Sequence, residues 1–276
     1  GGHAAHFANI DMPAPCFGQE FAPTSAAFCE TQSMFLDSLL DDADWLVRYA
    51  RDTEGRPMPL ELIEAGIRAA QPIEAWEKRA WLAICYGERA LYELADDELT
   101  PERVLAELRA VETRMMLLPE GSVRPVLSVP HLLSGESSAY YHAYVLAEMA
   151  VQQTRDHFLR RDGHIVDNPR VGPELRQAYW RPGNSRPFFD YVRALTGVSL
   201  SAVAMARAIT MTADEAVHEA RAAVAREPSL PRHVGPVALD AAIQVIHGDE
   251  QIAELGESWA EFAGAFRGWV QGLAAE

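Results

Sequence analysis

Helical periodicity runs along almost the whole of this 276-residue chain. Apolar side chains recur three and four positions apart, and no run alternates apolar with polar residues as a half-buried strand would. Residues 25–40 place Phe28, Phe35, Leu36, Leu39 and Leu40 at helical spacing, with Thr24 or Ser25 available to cap the start. Further helices are expected over 42–51, 59–70 and 73–95. Thr100-Pro101-Glu102 joins a capping hydroxyl, a proline at the first helical position and an acid in the first turn, opening a helix to about Leu117. Pro119, Gly121, Pro125 and Pro130 then mark a loop with a short extended piece from Val123 to Val129. A long helix is expected from Glu136 to Arg161, stopping at Gly163, with shorter ones over 173–180, 186–196 and 199–209. Thr212-Ala213-Asp214-Glu215 has the capping-box pattern and opens a helix to about Arg226. Two more are expected near 237–247, ended by Gly248, and over 250–273. The fold class is all-α.

Charge narrows the partners. Forty acidic residues against 24 basic ones give a net charge of −16, which repels nucleic acid and anionic lipid surfaces. No stretch approaches the ~20 apolar residues needed to span a bilayer, and the opening residues lack the basic-then-apolar pattern of a signal peptide. The cysteines Cys16, Cys29 and Cys85 are few and widely spaced, so neither a disulfide framework nor a Cys-x-x-Cys zinc site is expected. The expectation is a cytoplasmic protein with reduced thiols and with neither nucleic acid nor membrane as partner.

Three groups of residues carry chemistry. His3 lies in a short histidine-containing segment, Gly1-Gly2-His3-Ala4-Ala5-His6. Glu30 sits among apolar residues on the 25–40 helix, and Asp37, seven residues on, shares its face. A carboxylate at 30 suits a zinc ligand, and a second at 37 suits an orienting partner for a ligand histidine; the pair also fits an amphipathic helix with two solvated acids. The third group is His131 followed by Tyr140-Tyr141-His142-Ala143-Tyr144. Phenols facing a zinc site can donate to the oxyanion that develops on an attacked amide. The same tyrosines also fit an aromatic face buried in a core.

Taken in order, these segments resemble the thimet oligopeptidase, neurolysin and oligopeptidase F family of zinc metallopeptidases. Gly1-Gly2-His3-Ala4-Ala5-His6-Phe7 is similar to the end of its H-E-x-G-H-x-x-H stretch, so the chain starts inside the metal-binding motif. Phe28-Cys29-Glu30-Thr31-Gln32-Ser33-Met34 is similar to the helix that supplies its third zinc ligand. The His131 to Tyr144 segment is similar to its substrate-binding patch, and Arg181-Pro182-Gly183-Asn184-Ser185 to a downstream turn, here read as structural with Ser185 capping the next helix. The resemblance implies a zincin-like, neurolysin-like catalytic half over 1–210, with 211–276 as a helical extension packed on it. It implies one Zn²⁺ held by His3, Glu30 and an upstream histidine, with Asp37 in support and an upstream glutamate as general base. His6 is implied to accompany the ligands without joining them. His131 with Tyr141 or Tyr144 would stabilise the oxyanion, and Tyr140 with His131 would bind substrate. Short peptides are the implied substrates, and the upstream portion of the same protein is the implied partner; without it the fragment is expected to be inactive. Two departures stand out: Gly135-Glu136 replaces the family's Gly-Tyr, and the spacing from His131 to Tyr144 is one residue longer. A non-catalytic helical scaffold derived from such a peptidase is the alternative, and another zinc hydrolase with the same ligands is a third possibility.

Overall fold

The computed structural model describes residues 1–12, 26–119, 121–122, 125–132, 134–135, 138–234, 242–256 and 258–273. It is an all-α structure with a single two-stranded hairpin among the described residues. The chain divides into two compact units, Gly1–Pro231 and Arg232–Glu276. No helix among the described residues is long and apolar enough to cross a membrane.

The first unit is organised by two helix pairs. Helix α2 (Ala26–Asp37) lies along α6 (His142–Asp162). The contact face of α6 is made of Ala143, Ala147, Ala150 and Val151, all fully buried, and small side chains let the two backbones approach. Phe28 and Phe35 of α2 complete this core, Phe28 stacking on Tyr191 at 4.6 Å. Polar residues on the buried side of α2 are satisfied by their own helix: Thr31 Oγ1 donates to the Ala27 carbonyl at 2.6 Å and Gln32 Nε2 to that of Phe28 at 2.9 Å. The second pair is α4 (Leu60–Tyr92) with α5 (Pro101–Met116), around Ala83, Ile84, Leu108 and Val111. Between them in sequence, α3 (Ala43–Tyr49) packs with α10 (Ala213–Arg226). Helices α8 (Phe188–Thr196) and α9 (Val203–Thr210) pack on α6, and α7 (Val171–Leu175) packs on the turn Arg176–Trp180 that follows it. The caps at Thr100 and Thr212 form as the sequence indicates, with Thr100 Oγ1 accepting from Arg103 N and Thr212 exchanging bonds with Glu215.

Several expected elements differ. Residues 59–70 and 73–95 are one continuous helix, α4, with Pro72 inside it. One missing N–H is outweighed because both halves of α4 pack, against α10 and α5 respectively. Of the Val123–Val129 piece only Pro125 and Val129 are extended among the described residues; Val126–Ser128 and Pro130–Leu132 are 3₁₀ turns, opened by or after prolines. Helix α6 starts at His142, so Tyr140 and Tyr141 precede it. The reason is Ala139, held at φ +54°, a left-handed conformation that a right-handed helix cannot contain. Ser185 does not cap α8, which begins after Pro187 without a side-chain cap. Thr24, Ser25 and Cys16 lie outside the described residues.

The second unit corrects the tail. The regions expected as helices near 237–247 and 250–273 contain β1 (Gln244–His247) and β2 (Glu250–Glu254), paired antiparallel, followed by α11 (Trp259–Leu273). The connection is Gly248-Asp249, with Gly248 at φ +59°, so this glycine turns a hairpin rather than ending a helix. Trp269 of α11 packs on His247 at 5.1 Å.

Candidate functional site

Helix α1 (Gly2–Ala8) crosses α2 at a point where only glycine fits. A Cβ on Gly2 would lie 2.1 Å from the Gln32 carbonyl oxygen and 2.5 Å from Ser33 Cα. That close approach sets His3 beside Glu30, with His3 Nε2 3.9 Å from Glu30 Oε2. The Glu30 side chain is 10% exposed and that of His3 40%, so the pair opens to solvent on the histidine side. The other imidazole nitrogen, Nδ1, lies 3.1 Å from Cys29 Sγ, which leaves Nε2 facing Glu30. Glu30 is held twice: Tyr140 donates its hydroxyl to Oε1 at 2.6 Å, and Ser33 Oγ reaches Oε2 at 3.2 Å.

His6 points the other way. It is fully buried between Phe7 and Phe28, with ring centroids 5.1 and 4.8 Å away, and neither ring nitrogen has a partner among the described residues. Burial, with His3's charge second, pushes its pKa down to about 4. It is a neutral core group, set apart from the His3–Glu30 pair.

The third sequence group arrives beside the first two through a loop. Val126, Val129 and Leu132 seat the segment on α4 and α5, where Gly87 leaves room: a Cβ there would meet Val126 Cγ1 at 2.9 Å. Two buried glutamates bind its backbone. Glu112 Oε1 accepts from Val126 N at 2.6 Å and Oε2 from Ser122 N at 3.2 Å, while Glu88 Oε1 accepts from Ala139 N. His131, on the second 3₁₀ turn, then sits among three phenols, with ring centroids 5.8 Å from Tyr140, 5.4 Å from Tyr141 and 5.6 Å from Tyr144. Its Nε2 is 3.3 Å from the Tyr144 hydroxyl. The adjacent tyrosines part company: Tyr140 enters the α2–α6 core, whereas Tyr141 packs on the α4–α5 core.

The fold therefore gathers His3, Glu30, His131 and all three tyrosines, with Tyr140 linking the glutamate to the histidine. Tyr140, read from sequence as a substrate contact, is 8% exposed and spends its hydroxyl on Glu30. Asp37 is elsewhere: it is exposed at the far end of α2, where its charge helps push up the pKa of Asp41. Arg181 pairs with exposed Asp11 at 2.9 Å, and the turn after it is tied by Tyr191, whose hydroxyl donates to the Gly183 carbonyl at 2.6 Å. Sequence reading passed over Gly2, Cys29, Ser33, Glu88 and Glu112. Of these, only Ser33 carried a local signal, one helical turn after Glu30. A cavity of about 620 Å³ opens among α3, α6, α9 and α10, away from this group. Three of its arginines pair with carboxylates, Arg155 with Asp42 and Arg160 and Arg207 with Asp156, and Arg226 donates to the Gly163 carbonyl.

An imidazole nitrogen and a carboxylate oxygen are suitable zinc donors, and two donors at about 2.0–2.2 Å on a tetrahedral ion lie about 3.3–3.5 Å apart. The His3–Glu30 separation needs only a few tenths of an ångström of adjustment to meet this. Among the described residues no cluster of three or more histidine, cysteine or acidic groups is placed to hold a metal, so His3 and Glu30 form an incomplete donor set.

No family model and no curated protein matches the chain. Solved structures similar to it include one described as "BsuCP Crystal Structure", with a TM-score of 0.55 and 16% identity over 80% of this chain. The chain spans 46% of that protein's length, and at this identity the likeness concerns the fold alone.

Proposed function

We propose that this chain is the C-terminal catalytic part of a zinc-dependent oligopeptidase that hydrolyses internal bonds of short peptides. The observation that carries the reading is the convergence of His3 Nε2 on Glu30 Oε2 with His131, Tyr144 and Tyr140 at its edge. His3 and Glu30 would hold the ion together with a histidine upstream of Gly1, and a glutamate there would serve as general base. When bound, zinc supplies Lewis-acid polarisation of a carbonyl and a lowered pKa for water.

The chain's own residues have separable tasks. Cys29 and the Gly2 crossing hold the imidazole of His3 with Nε2 toward the carboxylate. Tyr140 bonds one oxygen of Glu30 and Ser33 the other, and together they fix its orientation. Tyr144 and His131 present an O–H and an imidazole side by side, where a donor can meet an amide oxygen as it gains negative charge. Removing one such donor typically costs ~10²–10³ in rate. Tyr141 wedges edge-on against His131 and keeps its ring upright.

The test is to produce the protein with its native upstream residues, measure zinc stoichiometry and follow cleavage of a panel of short peptides. One zinc per chain, lost in Glu30→Ala together with hydrolysis, is the expected result. Stoichiometric zinc with no peptide cleaved would overturn the peptidase reading and favour a different zinc hydrolase. No zinc at all would favour a non-catalytic helical scaffold.

A further inference from the structure

Ala139 adopts φ +54° without being glycine, immediately before Tyr140. An alanine in this region carries a steric cost that the surroundings must outweigh. What outweighs it is Glu88. This residue is buried on the last turns of α4, 51 positions away in sequence, and its carboxylate accepts the Ala139 N–H. Glu88 forms no ion pair among the described residues, so its buried oxygen is committed to the loop. The left-handed turn reverses the chain just before α6, and the next side chain, Tyr140, then enters the α2–α6 core and reaches Glu30 Oε1 at 2.6 Å.

We propose that Glu88 is a positioning residue for the site: by accepting the Ala139 N–H it fixes the turn that aims Tyr140 at Glu30. Its meaning for catalysis rests on the peptidase reading above, but the geometry does not. Glu88 touches neither His3 nor Glu30; it acts through the backbone of 139 and the phenol of 140. This makes a three-part relay from α4 through the loop to α2, alongside the ring contacts of His131 and Tyr141 with Tyr144 that also join the two hydrophobic cores.

The experiment is a double-mutant cycle on folding stability, which needs neither metal nor substrate. Tyr140→Phe alone is expected to lower the unfolding equilibrium constant's protection about tenfold, the effect of one charge-assisted bond. In a Glu88→Ala background the same change is expected to matter less than about twofold, because Tyr140 is no longer aimed. Glu88→Gln retains an acceptor oxygen and restores the dependence on Tyr140. Full additivity of Glu88→Ala and Tyr140→Phe would overturn the proposal, as would a Tyr140→Phe protein as stable as the parent. Should Glu88→Ala fail to fold, hydrogen exchange in Glu88→Met, which keeps the side chain's length and removes the acceptor, decides: faster exchange confined to Ala139 and its neighbours supports the relay, and unchanged or uniformly faster exchange refutes it. In the complete enzyme, Glu88→Ala is expected to reduce kcat more than it alters KM. If the parent cleaves no peptide, the peptidase reading fails while the coupling between Glu88 and Tyr140 stands or falls independently.

Discussion

The two halves of the site are held by different physics. His3 meets Glu30 because α1 and α2 fit together: a glycine removes the obstacle, alanines and phenylalanines fill the core, and Thr31 and Gln32 donate to carbonyls of their own helix. His131 and Tyr140 reach the same place on a loop with little regular structure, and their positions depend on backbone N–H groups captured by Glu112 and Glu88. Packing is short-ranged and repetitive, so it leaves a pattern in the sequence. Carboxylate-to-backbone capture joins residues 14 and 51 positions apart and leaves none.

The comparison breaks most readily at Gly2. Gly2→Ala puts a methyl group 2.1 Å from the Gln32 carbonyl oxygen and 2.5 Å from Ser33 Cα. Both obstacles are backbone, so α1 must move away from α2. The expected loss is about 3 kcal/mol or more in stability, measured by denaturant unfolding. A variant that unfolds like the parent would show that shape does not hold this half.

The matching test of the loop half is Glu112→Ala. It removes the acceptor that the buried N–H of Val126 and the N–H of Ser122 now share, at a cost of about 2–3 kcal/mol. Glu112→Gln, which still offers an oxygen to Val126, is expected to recover about half. The damage should be local, with amide exchange rising over 121–132 and staying unchanged across α2. If α2 loses protection as well, the two halves are a single cooperative unit and the distinction between them fails.

His6 sharpens the contrast through pH. Its pKa is about 4 in the folded state against 6.5 for an ordinary histidine, because burial penalises the charged ring. As pH falls below about 6.5 the unfolded chain takes up this proton first. Stability is therefore full above that pH and declines toward pH 4, by up to about 3 kcal/mol. His6→Leu keeps an apolar filler between Phe7 and Phe28 and is expected to flatten the decline over this window. An unchanged slope in thermal unfolding between pH 4 and 7 would assign the sensitivity to another group.

These differences explain what could be read beforehand. The all-α class and the caps at Thr100 and Thr212 follow from periodicity and capping chemistry, whereas the joining of His3 with Glu30 was implied only by the family resemblance. The hairpin of the second unit was also readable, since Gly248-Asp249 between β-branched and polar residues is a two-residue hairpin signal; the prior expectation of helix obscured it. Asp37 shares a helical face with Glu30, but a face is not a site: two turns carry it roughly 10 Å along the axis and into solvent. The start of α6 was not readable at all, because nothing local marks Ala139 as left-handed.

That alanine supplies the smallest and most discriminating test. Ala139→Gly removes the Cβ that makes φ +54° costly and leaves the N–H to Glu88 in place. Glycine also gains freedom in the unfolded chain, which offsets part of the benefit. A net stabilisation of about 0.5–1 kcal/mol is expected, read from the denaturation midpoint. If the turn exists because Glu88 imposes it, the gain should vanish in the Glu88→Ala background, where the turn relaxes and no strain is left to relieve. Equal gains in both backgrounds would mean that packing of Tyr140 and Tyr141 into their separate cores sets the turn, and the loop half would then be held by the same physics as the helical one.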